Sequence, residues 1–145
     1  MNQKTRDKKA ISIFLSYAME DSGHAQRLKS LLTQRPEVRV FTGEMLSAGE
    51  NWSSRIKDEL QKCNILMVIL SSASVNSSWV LHEIGAAWAM GKQIIPLATH
   101  PSVALTIPMA LSQYRILDIK EIENPDKLSQ ILKQADKLVD STNLR

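Results

Sequence analysis

Short apolar segments alternate with amphipathic segments along this chain, and the alternation predicts a mixed α/β structure. Strands are predicted at residues 11–16, 38–41, 65–70, 93–97 and 114–119, which are short and rich in apolar side chains. The segment 65–70 is apolar at every position, which is typical of a strand that is covered on both faces. We therefore expect it to lie at the centre of a parallel sheet.

The segments between these strands predict helices. Trp52, Ile56 and Leu60 recur every four residues, as apolar residues do on one face of a helix. A further helix is predicted over residues 75–90, and Asn124 caps the last one. This alternation of strands and helices predicts a parallel sheet with helices on both faces and right-handed crossovers.

One acidic residue, Glu83, interrupts an otherwise apolar helix. Trp79 lies four positions earlier and therefore on the same face. The helix follows the predicted central strand, and parallel sheets of this kind bind ligands beyond the carboxyl ends of their strands. A carboxyl group held there beside an indole would have a raised pKa, which suits an acid, a base or a stabiliser of positive charge. A structural carboxylate, paired with a lysine or with backbone donors, explains the position equally well.

Length and composition fit one globular domain. The chain has 145 residues, of which 43% are hydrophobic and 23% are charged, as in ordinary soluble domains. The single Cys63 excludes an internal disulfide framework. No apolar run approaches the roughly 20 residues that span a bilayer. We expect a cytoplasmic protein without a membrane partner.

The positive charge is concentrated at the start of the chain. Residues 1–9 contain four basic residues and one acidic residue, and the rest of the chain contains 14 of each. A folded surface that binds nucleic acid needs clustered basic residues, so we expect no direct nucleic-acid partner. The predicted organisation is a basic, disordered tail at 1–9, a domain at 10–140 and a C-terminal tail at 141–145.

Several common catalytic motifs are absent from the sequence. The chain contains neither G-x-G-x-x-G nor a P-loop, which removes the usual phosphate-binding loops of dinucleotide and ATP enzymes. The pair His82-Glu83 lacks the second histidine of H-E-x-x-H, because residue 86 is alanine. No G-x-S-x-G motif is present either. We therefore expect no metal and no bound cofactor.

The order of several segments is similar to that of a known family. The segments are a strand with a small-residue acidic exit at 13–21, a second strand and long loop at 40–49, the central strand at 65–71, and an S-x-W-x-x-x-E motif at 77–83. In this order the chain resembles a bacterial TIR (Toll/interleukin-1 receptor) domain from about residue 11 to 139. The resemblance implies a flavodoxin-like fold of three layers with a central parallel five-stranded sheet.

The resemblance also implies a function. Some TIR domains are scaffolds that assemble through TIR–TIR contacts, and others cleave NAD+ at the nicotinamide–ribose bond with the Glu of this motif, which corresponds to Glu83. We therefore expect an NAD+ glycohydrolase or ADP-ribosyl cyclase in bacterial antiphage defence. Its activation would come from self-assembly that includes the long loop after the second strand, which corresponds to the BB loop of the family. NAD+ is then the substrate rather than a cofactor. The predicted substrate-binding residues are Ser16, Tyr17, Ala18, Leu46, Gly49, Trp52 and Trp79.

Two other functions stay open at this stage. The first is a non-catalytic TIR–TIR interaction module that keeps the fold but has no turnover. The second is a nucleoside deoxyribosyltransferase, which has a related α/β architecture and also uses a Glu. The chain is compatible with a stand-alone signal producer or with the catalytic part of a longer protein that includes a sensor or effector partner.

Overall fold

The computed structural model describes residues 10–43, 49, 51–106 and 111–142, without the side chains of Trp52, residues 104–106 and residues 136–142. The strands are β1 (Ile11–Ser16), β2 (Val38–Thr42), β3 (Ile65–Leu70), β4 (Gln93–Ala98) and β5 (Leu117–Asp118). The helices are α1 (Ser22–Thr33), α2 (Trp52–Lys62), α3 (Ser78–Ala89), α4 (Ile119–Glu123) and α5 (Pro125–Thr142). Short 3₁₀ helices lie at Met19–Asp21, Ser74–Asn76 and Pro101–Thr106.

The strands form one parallel five-stranded sheet in the order β2-β1-β3-β4-β5. β3 is the central strand, and all six of its residues are buried. This confirms both the predicted fold class and the predicted place of residues 65–70. Because all the strands are parallel, their carboxyl ends meet along one edge of the sheet, where the loops after β1, β2 and β3 come together.

The sheet separates two hydrophobic clusters. On one face, Ile65 and Met67 of β3 pack with residues of α1, α4 and α5. On the other face, Leu66 and Val68 pack with residues of α2 and α3. Successive side chains of a strand point to opposite faces, so an all-apolar β3 contributes to both clusters. The result is the predicted arrangement of helices on both faces.

Two predicted elements differ in the structure. The helix expected over 75–90 is divided, because Ser77 accepts a hydrogen bond from the backbone N–H of Val80 at 3.3 Å and so caps a new helix, α3. The strand expected over 114–119 is reduced to β5. There Asp118 accepts a bond from the N–H of Lys120 at 2.9 Å, which starts α4 at Ile119 instead of extending the strand.

The ends of the predicted domain are only partly described. Residues 1–9 lie outside the described residues. At the other end α5 continues to Thr142, two residues into the segment assigned to a C-terminal tail. Asn124 accepts bonds from the backbone N–H groups of Asp126 and Lys127, which confirms its predicted role as the cap of α5.

Cys63 is a structural residue between α2 and β3. Its thiol donates to the carbonyl oxygen of Leu60 at 3.1 Å. Burial raises the pKa of the Cys63 thiol from 9.0 to about 11, so the reactive thiolate is scarce at neutral pH. Within the described part of the chain, no helix has both the length and the apolar character needed to cross a membrane.

The central strand predicts where the fold is most sensitive to truncation. Leu66 is completely buried in β3, so Leu66→Ala should lower the free energy of unfolding by about 2–5 kcal/mol through lost burial and a new cavity. Gln26, exposed on α1, is a suitable control, because Gln26→Ala should change stability by less than about 0.5 kcal/mol. Urea denaturation measures the free energy of unfolding of both variants. An equal loss in Leu66→Ala and Gln26→Ala would contradict the central role of β3.

Candidate active site

Glu83 lies on α3 with its side chain directed toward the carboxyl edge of the sheet. The residue is only 3% exposed. Its Oε1 accepts a hydrogen bond of 3.2 Å from the hydroxyl of Ser16, the last residue of β1. Val80, Ile84 and Ala87 are also buried and pack α3 against the sheet. The same packing that anchors the helix therefore brings a carboxyl group to the end of β1.

The surroundings of Glu83 favour its neutral form. Burial raises the pKa of the carboxyl group from 4.5 to about 8, because the charged form loses its hydration. The hydrogen bond from Ser16 acts in the opposite direction and favours the carboxylate. A carboxyl group whose pKa lies near neutrality and that borders a cavity has the properties of a functional residue.

A cleft of about 890 Å³ opens at the carboxyl ends of β1, β2 and β3. One wall comes from the segment after β1, and the other comes from the segment between β3 and α3. Glu83 and Trp79 of α3 border the cleft between these walls. The described lining residues are Leu15, Tyr17, Ala18, Met19, Glu20, Gly43, Ser72, Ala73, Asn76, Ser77, Ser78, Trp79 and Glu83.

The end of β2 packs closely against the indole of Trp79. A Cβ atom placed on Gly43 would lie 3.8 Å from Cζ2 of Trp79, so a side chain at this position would contact the indole. Trp79 also borders a second cavity of about 440 Å³ between α2 and α3, together with Glu83 and apolar residues such as Ile56 and Met90. Trp79 and Glu83 are thus shared by two neighbouring cavities.

The structure brings part of the predicted site together. Tyr17, Ala18 and Trp79 line the same cleft as Glu83, and Ser16 reaches Glu83 through its hydroxyl. Their roles in substrate binding stay predictions.

The residues predicted in and after the long loop are only partly described. Gly49 is exposed with φ of +79°, a conformation that favours glycine. Leu46 lies outside the described residues. Of Trp52 only the backbone is described, and it is the first residue of α2. The contribution of this loop to the cleft therefore stays a prediction.

Asp21, Ser71 and Ser74 form a buried polar cluster next to the cleft that the sequence does not predict. Asp21 accepts a hydrogen bond from the hydroxyl of Ser71, and Ser71 is hydrogen-bonded in turn to Ser74. All three residues are buried. A serine-rich segment after a central strand was visible in the sequence, but its acidic partner lies 50 residues away, and only the fold shows that they meet.

The described residues of the site supply groups that can stabilise charge. No group of three His, Cys, Asp or Glu side chains among those residues could hold a metal ion. The chemical resources are a buried carboxyl group, the indole of Trp79 and the hydroxyl of Ser16. A carboxylate in such a site can stabilise a positive charge that develops on a bound ligand.

A comparison with known families supports the likeness seen in the sequence. The family model for the TIR domain matches residues 13–132. No curated protein matches the chain with significant similarity.

Solved structures share the fold at low sequence identity. The TIR domain of the Toll-related receptor TRR-2 from Hydra magnipapillata superimposes with a TM-score of 0.69 at 18% identity, covering 85% of this chain and 96% of that one. The TIR domains of the activated Roq1 resistosome, which recognises the pathogen effector XopQ, superimpose with a TM-score of 0.58 at 18% identity. The match covers 94% of this chain and 86% of that one. The CMP N-glycosidase BcmB of Clostridium botulinum superimposes with a TM-score of 0.51 at 18% identity. The match covers 85% of this chain and 98% of that one.

The raised pKa of Glu83 predicts a pH dependence of stability. Because the folded pKa of about 8 exceeds the unfolded value of 4.5, the folded protein keeps a proton that the unfolded chain releases. The contribution of Glu83 to stability is therefore full below about pH 4.5 and is lost as the pH rises through about 8. In between, the free energy of unfolding should fall by up to about 1.4 kcal/mol per pH unit.

Denaturation of wild type and Glu83→Gln between pH 5 and pH 9 measures this effect. The amide does not titrate, so the difference between the two curves isolates the carboxyl group. Parallel curves would show that Glu83 has an ordinary pKa and that water reaches it.

Proposed function

The chain belongs to the TIR domain family, and from that premise we propose that it is an NAD+ glycohydrolase or ADP-ribosyl cyclase. It would cleave the nicotinamide–ribose bond to give nicotinamide and either ADP-ribose or a cyclic ADP-ribose isomer. We place this activity in cytoplasmic bacterial antiphage defence, with activation by self-assembly. The observation that carries the proposal is the buried carboxyl group of Glu83 beside a cleft at the carboxyl edge of the sheet.

The proposed reaction needs little more than charge stabilisation. The bond between C1′ of the ribose and the nicotinamide nitrogen breaks, and its electron pair goes to the cationic ring, which leaves as neutral nicotinamide. No general acid is required for this departure. The ribose develops oxocarbenium character, as in glycoside hydrolysis, and the Glu83 carboxylate stabilises that charge. Water then adds to C1′ and loses a proton, or a group of the same molecule attacks and closes a ring.

The cleft has suitable dimensions and groups for such a substrate. Its volume of about 890 Å³ lies within the range of small-molecule sites. Tyr17 and Trp79 line the cleft together with Glu83, and planar rings of this kind pack well against aromatic bases. The cleft is open, so water exclusion during the reaction would depend on further coverage, for which the long loop after β2 and a neighbouring protomer are the proposed sources.

The fold itself is compatible with cleavage of N-glycosidic bonds. One structure with the same fold is described as a CMP N-glycosidase. At 18% identity this likeness concerns the fold alone, so the proposed chemistry rests on Glu83 and its surroundings.

A second candidate function is a TIR–TIR scaffold without turnover. It is favoured by one side of α3, where Leu81 and Trp88 lie two helical turns apart and are both exposed, Trp88 by 55%. A helix that is apolar on its solvent side as well as on its core side is typical of an assembly contact. The same surface would serve an enzyme that is activated by assembly, so only turnover separates the two functions.

The proposal predicts that nicotinamide release depends on Glu83. Wild-type protein incubated with NAD+ at high concentration or with a crowding agent should release nicotinamide, and Glu83→Gln should lower the rate by about 100-fold or more through loss of the stabilising charge. Asp126→Asn, which changes an exposed carboxylate at the start of α5, is the control and should keep the rate. Mass spectrometry of the product identifies ADP-ribose or a cyclic isomer.

Two results would overturn this function. Release that survives Glu83→Gln would exclude the proposed role of Glu83. Absence of release from assembled wild-type protein would favour the scaffold.

The pKa of Glu83 predicts the pH profile of the reaction. The carboxylate is the active form, and the free protein holds it mostly protonated below a pKa of about 8. The kcat/KM for NAD+ should therefore rise about tenfold per pH unit below that value and reach a plateau above it. Ser16→Ala removes the hydrogen bond that lowers this pKa, so its profile should shift to higher pH. A profile that falls with rising pH would require Glu83 to act as an acid.

A further inference from the structure

Asp21 occupies a helix N-cap position but does not cap its helix. It precedes α1, and its side chain makes no hydrogen bond to the backbone of the first turn. An aspartate at this position normally accepts a bond from the second or third N–H of the helix. Here the carboxylate instead accepts a hydrogen bond from the hydroxyl of Ser71, 50 residues away. Asp21 is 8% exposed, so its carboxylate is buried and bonds to a distant part of the chain.

Ser71 connects this carboxylate to the segment that leads into α3. The N–H of Ser71 donates to Oγ of Ser74 at 2.7 Å, and the N–H of Ser74 donates to Oγ of Ser71 at 3.1 Å. Oγ of Ser74 also lies 3.3 Å from the carbonyl oxygen of Ser71 and donates to it. The two serines thus form a closed turn, and the hydroxyl of Ser71 donates its proton to Asp21.

The hydrogen bond between Asp21 and Ser71 joins the two walls of the cleft. Asp21 directly follows the wall formed by residues 17–20, and Ser71 directly precedes the wall formed by residues 72–78. The second wall continues into α3, which carries Glu83. The bond between Ser16 and Glu83 spans the same two parts of the chain. Two buried polar contacts therefore connect the two walls.

We propose that Asp21 is a positioning residue of the candidate active site, and that its hydrogen bond with Ser71 holds the walls at the separation that keeps Glu83 dry and in contact with Ser16. Loss of the bond leaves a buried carboxylate or hydroxyl without its partner, which the structure relieves by admitting water. Water behind the walls lengthens the contact between Ser16 and Glu83 and hydrates the Glu83 carboxyl group. A purely stabilising hydrogen bond would lower the free energy of unfolding without changing how Glu83 titrates in the folded protein.

Several titratable groups border the two cavities that Glu83 shares, and the test leaves all of them in place. They are Tyr17 and Glu20 after β1, Lys57 on α2 and His82 on α3. Ser71→Ala also keeps the Asp21 carboxylate, so a change in the titration of Glu83 in that variant reports a change in hydration and geometry around Glu83.

The test is a carbon-13 NMR titration of the Glu83 carboxyl group in wild type, Asp21→Ala, Ser71→Ala and the double variant. Burial gives the wild-type group a pKa of about 8. Each single substitution should lower that pKa by about one unit or more toward the ordinary value, and the double variant should add nothing further, because either change removes the same bond. Asp21→Asn keeps an oxygen acceptor for Ser71 and should restore most of the wild-type pKa.

Asp118→Ala is the matched control. Asp118 caps α4 in the usual way, with its carboxylate on the N–H of Lys120, so its loss weakens a helix cap away from the cleft. The Glu83 titration should stay at its wild-type value in this variant even though thermal stability falls. A shift of similar size in Asp118→Ala would mean that general destabilisation, and not the bond to Ser71, controls Glu83.

A kinetic measurement extends the test and rests on the proposed function. On the high-pH plateau of NAD+ cleavage, Asp21→Ala should lower kcat by about 10- to 100-fold, as expected for a misplaced reacting group, with a smaller change in KM and recovery in Asp21→Asn. If wild type has no turnover, the proposed function fails while the titration still decides the role of Asp21. If Asp21→Ala does not fold, Ser71→Ala gives the decision, and a wild-type titration of Glu83 in that variant would overturn the proposal.

Discussion

The Glu83 carboxyl group loses almost all contact with water at the carboxyl edge of the sheet and receives one hydrogen bond, from Ser16, in return. Burial of a polar group costs free energy unless partners replace the lost hydration, and the raised pKa shows that the charged form is only partly compensated. The rest of the fold must supply the difference. β3 does so as a strand buried on both faces, and the inner face of α3 packs on one of them through Val80 and Ile84.

The same edge of the sheet explains why a cleft exists there at all. The strand order reverses between β1 and β3, so the chain leaves these two strands toward opposite sides, and the segments after them form opposite walls. Polar contacts join these segments from behind, through Asp21 and Ser71 and through Ser16 and Glu83. Two separate polar contacts thus connect the walls, and one of them ends on the Glu83 carboxyl group.

α3 has two roles that its sequence combines in one apolar segment. Its inner residues bury against the sheet and place Glu83 and Trp79 at the cleft, while Trp88 and Leu81 stay exposed on its outer side. At 55% exposure, Trp88 lies outside the core. An enzyme regulated by assembly would benefit from this arrangement, because a contact on the outer face of α3 bears directly on the helix that carries the proposed catalytic carboxylate.

The sequence by itself determined the order of the elements, the central place of residues 65–70, the cap at Asn124 and the candidate Glu83, because apolar periodicity and capping act over a few residues. It failed where short-range preferences competed, as at Ser77, which divided a predicted helix, and at Asp118, which replaced strand by helix. Only the tertiary structure decided that Ser16 meets Glu83 across 67 residues and that Asp21 meets Ser71 across 50. Which segments pack together determines the burial of the Glu83 carboxyl group, its hydrogen-bond partner and the separation of the two walls. No local pattern of residues contains that information.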